Sequence, residues 1–237
     1  MQSPTITPKT QVYNLVILDK SGSMESIRKE AIDGYNETLG TIRAAQLKHI
    51  DSQEHFVSLA AFCSCGIDMI YDKTPIADAE RLTNKQYEPC CCTPLFDAIG
   101  STIKQLRRYI NEECEGIDVA VLVTIITDGY ENASKEWTGP AVKKLIDECK
   151  EDGWMFSFIG AGDDVVKVAT TISVTNTVVW EKTSEGTREV FTNENEAQSR
   201  YYDKMASACS AAPQMSASDR KKLRKKLSEE YYDKEKK

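Results

Sequence analysis

The sequence predicts an α/β protein in which a mostly parallel sheet lies between two layers of helices. Buried-strand patterns alternate along the chain with helical stripes, the order expected of strands joined by crossover helices. Two strand patterns end in an aspartate, and in open parallel sheets ligands bind at the carboxyl ends of the strands. The fold class and the position of a binding site are therefore predicted together.

The first part of the chain contains three strand patterns and one helical pattern. Residues 12–18 form an apolar run typical of a strand buried on both faces. Apolar residues recur at helical spacing over residues 27–46. Strands predicted at 55–62 and 67–71 are close enough for a hairpin, so one is expected to be an antiparallel edge strand. Residues 73–89 are polar and are predicted to be irregular.

The second part repeats the alternation of helix and strand. A buried-strand run over residues 119–126 leads into Asp128, and a Gly160-Ala-Gly162 turn follows a later strand. Helices are predicted at 95–110, 142–149, 163–170 and 187–211, and strands at 119–126, 154–159 and 175–180.

Composition limits the classes of protein that fit. The 237 residues carry a net charge of -7, which argues against a surface built to hold nucleic acid or anionic lipid. No apolar run approaches the roughly 20 residues of a membrane span, and the first ten residues do not resemble a secretory signal. We expect a cytoplasmic protein with no membrane partner.

The chain is predicted to divide into three parts. Residues 1–10 are an N-terminal extension, residues 11–212 form the α/β domain, and residues 213–237 are a charged, helical tail. From Asp219 onward the tail has nine basic and five acidic residues. Ser216 and Asp219 resemble a helix cap, and Leu223, Leu227 and Tyr231 form a narrow apolar stripe. We favour a helix that packs on its own domain over one that binds nucleic acid.

Oxygen-bearing side chains follow the strands that end in aspartate. Asp19, Ser21 and Ser23 alternate in one turn, Thr93 begins a helical segment, and Asp128 ends a second strand. Carboxylate and hydroxyl ligands without histidine or cysteine suit a hard divalent cation such as Mg²⁺, with Mn²⁺ and Ca²⁺ as competitors. These five residues are the predicted metal ligands.

This pattern resembles the von Willebrand factor type A (vWA) domain with its metal-ion-dependent adhesion site, in the stand-alone intracellular type. The family pattern of Asp-x-Ser-x-Ser, a distant Thr and a distant Asp is filled by Asp19, Ser21, Ser23, Thr93 and Asp128. The resemblance covers roughly residues 11–182. It implies a three-layer Rossmann-like α/β/α fold with strand order 3-2-1-4-5-6 and a short antiparallel third strand.

The resemblance also implies a function without catalysis. Ser21, Ser23 and Thr93 would be direct ligands, while Asp19 and Asp128 would hold the ion largely through water. Neutral ligands leave the cation electrophilic, so that it takes an Asp or Glu carboxylate of a partner protein. We expect a metal-dependent adaptor, and proteins similar to it act with AAA+ ATPases and stress-response systems.

Three cysteines, Cys90, Cys91 and Cys92, stand immediately before Thr93, where the family usually has small residues. The eight cysteines include no Cys-x-x-Cys pair, and no histidine stands at zinc-ligand spacing. We therefore expect no zinc site and predict reduced, packed thiols. A second hypothesis is that oxidation of the triplet weakens Mg²⁺-dependent binding.

An enzyme is the main alternative. An Mg²⁺-dependent hydrolase or phosphatase using Asp19 as nucleophile would need a second carboxylate two positions later, where Ser21 stands. His49 and His55 lie away from the predicted strand ends, which argues against a Ser-His-Asp triad. We therefore expect no enzymatic activity.

Overall fold

The predicted α/β class is confirmed by a six-stranded sheet in a computed structural model that describes residues 9–161 and 165–233. The strand order is β3-β2-β1-β4-β5-β6. Neighbouring strands are parallel except for β2 and β3, which form an antiparallel pair at one edge. The strands are β1 (Thr10–Asp19), β2 (Gln53–Cys63), β3 (Gly66–Pro75), β4 (Val119–Thr127), β5 (Met155–Ala161) and β6 (Asn176–Trp180).

Helices cover both faces of this sheet and complete the three-layer architecture. Side chains of α2, α3 and α4 share one hydrophobic cluster, while those of α1, α5 and α6 pack in two clusters on the opposite face. The helices are α1 (Arg28–Lys48), α2 (Leu95–Glu113), α3 (Gly139–Glu151), α4 (Val165–Thr171), α5 (Ser184–Ala211) and α6 (Ala217–Glu229).

Strand β1 lies at the centre of the core, which explains its unbroken apolar sequence. Tyr13, Leu15 and Ile17 face the α2 side, and Val16 and Leu18 face the α1 side. All five are at most 3% exposed. A parallel strand with helices on both sides buries both of its faces, so that alternation of polar and apolar residues is absent.

Three helices, α3, α5 and α6, start at hydroxyl residues that cap them. Thr138, Thr183 and Ser216 each accept a hydrogen bond from a backbone amide in the first turn of α3, α5 and α6, respectively. Such a bond satisfies one of the amides that the helix itself leaves unpaired. The predicted helix of the C-terminal tail therefore forms where the Ser216 signal places it.

Three details differ from the sequence expectations. Residues Gly22–Ile27 form a 3₁₀ helix before α1, so Glu25 lies in that turn. The edge strand β3 has 10 residues, as many as β1, so the expectation of a short third strand is wrong. Residues 76–87 are irregular as predicted, but Ile76, Ala79, Leu82 and Tyr87 are buried in the core.

Some predictions fall on parts of the chain outside the described residues. They are most of the 1–10 extension, the last residue of the Gly160-Ala-Gly162 turn, the first two residues of the helix predicted at 163–170, and the end of the 213–237 tail.

Helix α6 packs on the domain through the predicted apolar stripe. Leu227 and Tyr231 are buried against β4, β5 and α5, and Leu223 packs at the margin of the same cluster. Complete burial of an apolar side chain of this size contributes about 1.5–3 kcal/mol.

Among the described residues, no helix is both long enough and apolar enough to cross a membrane.

Candidate metal centre

Asp19, the last residue of β1, is buried at the carboxyl end of the central strand. Its Oδ1 accepts a hydrogen bond from the Ser21 amide (2.7 Å), and its Oδ2 accepts one from Thr127 Oγ1 (2.6 Å). The Tyr87 hydroxyl donates to the Asp19 carbonyl (2.5 Å). Burial raises the pKa of Asp19 to about 6, although the bonds from Thr127 and Ser21 oppose the rise. The side chain is held in a single orientation by neutral donors.

Ser21 and Ser23 connect Asp19 to the second carboxylate, Asp128. The two serine hydroxyl oxygens are 3.0 Å apart, and Ser23 Oγ donates to Asp128 Oδ1 (2.6 Å). Ser21 precedes the 3₁₀ helix, but its side chain makes no capping hydrogen bond. Ser23 lies inside that helix and so is not its cap residue. Neither serine therefore has the ordinary role of a side-chain cap. Both hydroxyls face the end of the sheet.

Thr93 reaches the same place from the loop before α2. Its amide donates to Asn132 Oδ1 (2.9 Å), and the Asn132 amide donates back to the Thr93 carbonyl (3.1 Å). A methyl group added at Gly129 would lie 3.1 Å from Thr93 Oγ1, 3.5 Å from Ser23 Oγ and 3.8 Å from Asp19 Oδ2. Oxygens from three segments therefore surround one small space that glycine leaves open.

The loop that carries Asp128 and Gly129 is fastened to the start of α2. The Glu131 carboxylate accepts hydrogen bonds from the Phe96 and Ser134 amides, and the Asp97 carboxylate accepts bonds from the Lys135 and Trp137 amides. Acceptors at a helix N-terminus are also favoured by the helix dipole. These bonds fix the position of the Asp128 loop relative to Thr93.

Lys182 is a charged neighbour that the sequence reasoning missed. Its ammonium group pairs with Asp128 Oδ2 and donates to the Ser23 carbonyl. The Asp128 side chain is fully buried, whereas that of Lys182 is 33% exposed. Lys182 follows the end of β6, so its position after a parallel strand was the available signal. Thr127 and Asn132 were missed too, because each acts through contacts formed only after folding.

The donor set fits a hard divalent cation. All five predicted ligands lie at one end of the sheet, and each offers oxygen. The open space at Gly129 is bordered by oxygens of three of them, and a positively charged group already sits against Asp128. This arrangement has the chemistry of a Mg²⁺, Mn²⁺ or Ca²⁺ site.

Comparisons with known proteins identify the fold. No family model matches the sequence, and the curated proteins give no significant match. Similar solved structures include the pilus adhesin SpaC of Lactobacillus rhamnosus GG in its open conformation, at 15% identity and a TM-score of 0.56 over 82% of this chain and 30% of that one. A von Willebrand factor type A structure from Catenulispora acidiphila matches at 13% identity and a TM-score of 0.53 over 81% of this chain and 43% of that one.

A third similar structure is the manganese-loaded TRAP protein of Plasmodium vivax, at 12% identity and a TM-score of 0.50 over 75% of this chain and 70% of that one. This chain spans less than half the length of the SpaC and Catenulispora chains. At these identities the likeness concerns the fold.

Proposed function

We propose that this chain, which has the von Willebrand factor type A fold, is a divalent-metal-dependent protein-binding module. Asp19, Ser21, Ser23, Thr93 and Asp128 would hold Mg²⁺, and a partner protein would supply an Asp or Glu carboxylate. The observation that carries the proposal is the convergence of Asp19, Ser23 and Thr93 oxygens on the space at Gly129. That the similar TRAP structure is described as manganese-loaded supports a divalent cation, with Mn²⁺ and Ca²⁺ as competitors.

The hydrogen bonds at the site support direct coordination by hydroxyls. Both Asp19 oxygens already accept hydrogen bonds, and Asp128 Oδ1 accepts one from Ser23. The hydroxyls of Ser21, Ser23 and Thr93 have lone pairs available for an ion. A cation bound mainly by neutral oxygens keeps most of its charge, which favours a partner's carboxylate as a further ligand.

The position of Asp19 also supports a binding function without catalysis. A nucleophilic carboxylate must approach the substrate, whereas Asp19 is fully buried and both of its oxygens are hydrogen-bonded. Ser21 occupies the position where an acid or base would stand in an aspartyl-phosphate enzyme. An Mg²⁺-dependent hydrolase using Asp19 is therefore the weaker candidate.

The basic tail supports a protein partner over a nucleic acid. In α6, Arg220 and Arg224 pair with Asp118, and Lys221 pairs with Asp152. These charges are engaged on the domain itself. As part of the proposal, the module acts in the cytoplasm as an adaptor, and AAA+ ATPases and stress-response complexes are the partner classes to examine first.

A pull-down from host lysate tests this function. The full chain is immobilised in Mg²⁺ or in EDTA, and wild type is compared with Asp19→Ala. Asp33→Ala, which removes an exposed acid paired with Lys29, is the matched control. We expect proteins retained by wild type and by the control in Mg²⁺ to be lost in EDTA and with Asp19→Ala. Identical prey in all conditions would contradict a metal-bridged mechanism.

A further inference from the structure

Four thiols meet beside the oxygen-lined site. Cys63 and Cys65 lie at the turn between β2 and β3, and Cys90 and Cys91 lie in the loop before Thr93. The sulfur atoms are 3.4 Å apart for Cys63 and Cys90, 4.0 Å for Cys65 and Cys90, and 3.3 Å for Cys65 and Cys91. Sequence spacing did not indicate this group because its two pairs are separated by 25 residues or more.

The spacing of the sulfurs matches the edge of a thiolate metal site. A tetrahedral Zn²⁺ site with Zn–S bonds of about 2.3 Å has sulfurs about 3.8 Å apart. The sulfurs of Cys63, Cys65 and Cys90 all lie within 4.8 Å of one another, and Cys91 adjoins them through Cys65. Small movements of these side chains would bring four sulfurs around one ion.

Burial does not account for the meeting of these thiols. Cys65 and Cys91 are exposed and Cys90 is half-buried, so that only Cys63 belongs to the apolar core. Cys91 has a φ of 62°, in the left-handed region that costs a residue with a side chain about 1–2 kcal/mol. Strained residues of this kind cluster at functional sites. The strain and the exposure point to a role in binding.

Backbone hydrogen bonds hold the two cysteine pairs in place. The Ser64 amide donates to the Cys92 carbonyl (3.0 Å), and the Cys92 amide donates to Ser64 Oγ (3.1 Å). The Cys90 amide donates to the carbonyl of Lys20 (2.9 Å). The thiols are thereby arranged before any ion arrives, which lowers the cost of binding one.

We propose that Cys63, Cys65, Cys90 and Cys91 form a second metal site, which binds Zn²⁺ through thiolates. Thiolate sulfur selects zinc against Mg²⁺ and Ca²⁺, so the ion differs in class from the one at the oxygen-lined site. Binding releases the thiol protons to solvent. The ion would link the β2–β3 turn to the segment leading into Thr93. This site does not depend on the proposed function.

Cobalt substitution in the full chain tests the proposal. Reduced, metal-free protein is titrated with Co²⁺, which reports thiolate ligation by intense near-ultraviolet charge-transfer absorption and tetrahedral coordination by strong visible bands. We expect both signals to saturate at one ion per chain and to disappear when Zn²⁺ is added. The absence of charge-transfer absorption in wild type would overturn the proposal.

Single substitutions test whether the charge-transfer signal comes from these four thiols. Cys65→Ser changes an exposed residue, so the fold is retained, and the charge-transfer signal should be lost. Cys92→Ser is the matched control, because the Cys92 thiol lies outside the sulfur contacts that the structure describes here. Asp19→Ala should leave the signal unchanged, even if the oxygen-lined site binds no ion. An unchanged signal in Cys65→Ser, or equal loss in Cys92→Ser, would contradict the assignment.

Discussion

At the amino ends of the strands the partly buried Asp118 is paired with two arginines, whereas at the carboxyl ends Asp128 is paired with one lysine and Asp19 has only neutral donors. The side chains of Arg220 and Arg224 are 11% and 7% exposed, and both reach Asp118. Asp19 is held by an amide and a hydroxyl, and Lys182 pairs with Asp128 alone. One end therefore compensates its carboxylate within the chain, while at the other end Asp19 has no charged partner among the described residues, as the proposed binding of an external cation requires.

Under the proposed function, the same residue type serves stability at one end and metal binding at the other. Asp118 connects β4 to α6, because its partners lie on that helix. Asp19 and Asp128 instead orient the hydroxyls around the space at Gly129. Substitutions at the carboxyl end should therefore change metal affinity, and substitution of Asp118 should change the free energy of unfolding.

The largest effect is expected from Gly129→Ala. Its new methyl group would lie 3.1 Å from Thr93 Oγ1, inside the space that the ligands border, so we expect no measurable Mg²⁺ binding in isothermal titration calorimetry. The φ of Gly129 is compatible with alanine, so folding should be retained in circular dichroism. Gly40→Ala in α1, with open space at its added methyl group, is the control. Wild-type affinity in Gly129→Ala would refute the placement of the ion.

Asp118→Asn should destabilise the protein by about 3 kcal/mol, since it leaves two poorly exposed arginines without their carboxylate. Urea unfolding measures the change. Asp33→Asn, at an exposed pair in α1, should cost about 0.3–0.5 kcal/mol. Mg²⁺ affinity should remain that of wild type in both variants. A loss of Mg²⁺ affinity in Asp118→Asn would contradict the idea that the amino end contributes to stability and not to metal binding.

Lys182→Met should strengthen Mg²⁺ binding about tenfold, or about 1.4 kcal/mol, because the ammonium group no longer competes for Asp128. Calorimetric titration at constant ionic strength gives the affinities. Lys29→Met is the matched control, because it makes the same substitution at an exposed lysine of α1, and it should leave the Mg²⁺ affinity unchanged. Weaker binding in Lys182→Met would mean that the lysine supports the ion and does not compete with it.

The smallest effect is a pH dependence at the amino end. Burial raises the pKa of Asp118, but Arg224, the bond from Thr10 and Arg220 outweigh it and hold the pKa below 3.8. A lowered pKa in the folded state gives stability that is present above the unfolded value and is lost as the pH falls below it. The stability difference between wild type and Asp118→Asn should therefore shrink below about pH 4. A constant difference down to pH 2.5 would contradict the ion-pair explanation.

The sequence was sufficient to predict the fold and the end of the sheet at which the five candidate ligands lie, because the relevant signals are local. The apolar run of β1 ends at Asp19 and that of β4 ends just before Asp128, and parallel strands bring their carboxyl ends to one edge. The Ser216 cap likewise fixed the start of α6. Each of these features depends on neighbours within a few residues.

Features made by contacts between distant segments could not be predicted in this way. Residues 76–87 have no helical or strand periodicity, yet Leu82 is buried. The Asn36 side chain forms hydrogen bonds with both the carbonyl and the amide of Leu82. Cys65 meets Cys91 across two loops, and Lys182 meets Asp128 across the sheet edge. Pairings of this kind depend on loop geometry, which residue spacing does not specify.

Anomalous diffraction from crystals grown in Mn²⁺ would locate the ion itself. We expect one strong manganese peak bordered by the hydroxyls of Ser21, Ser23 and Thr93, and no such peak in Gly129→Ala. A well-diffracting Mn²⁺ crystal with no peak at this position, or with manganese held by other residues only, would contradict the proposed metal centre.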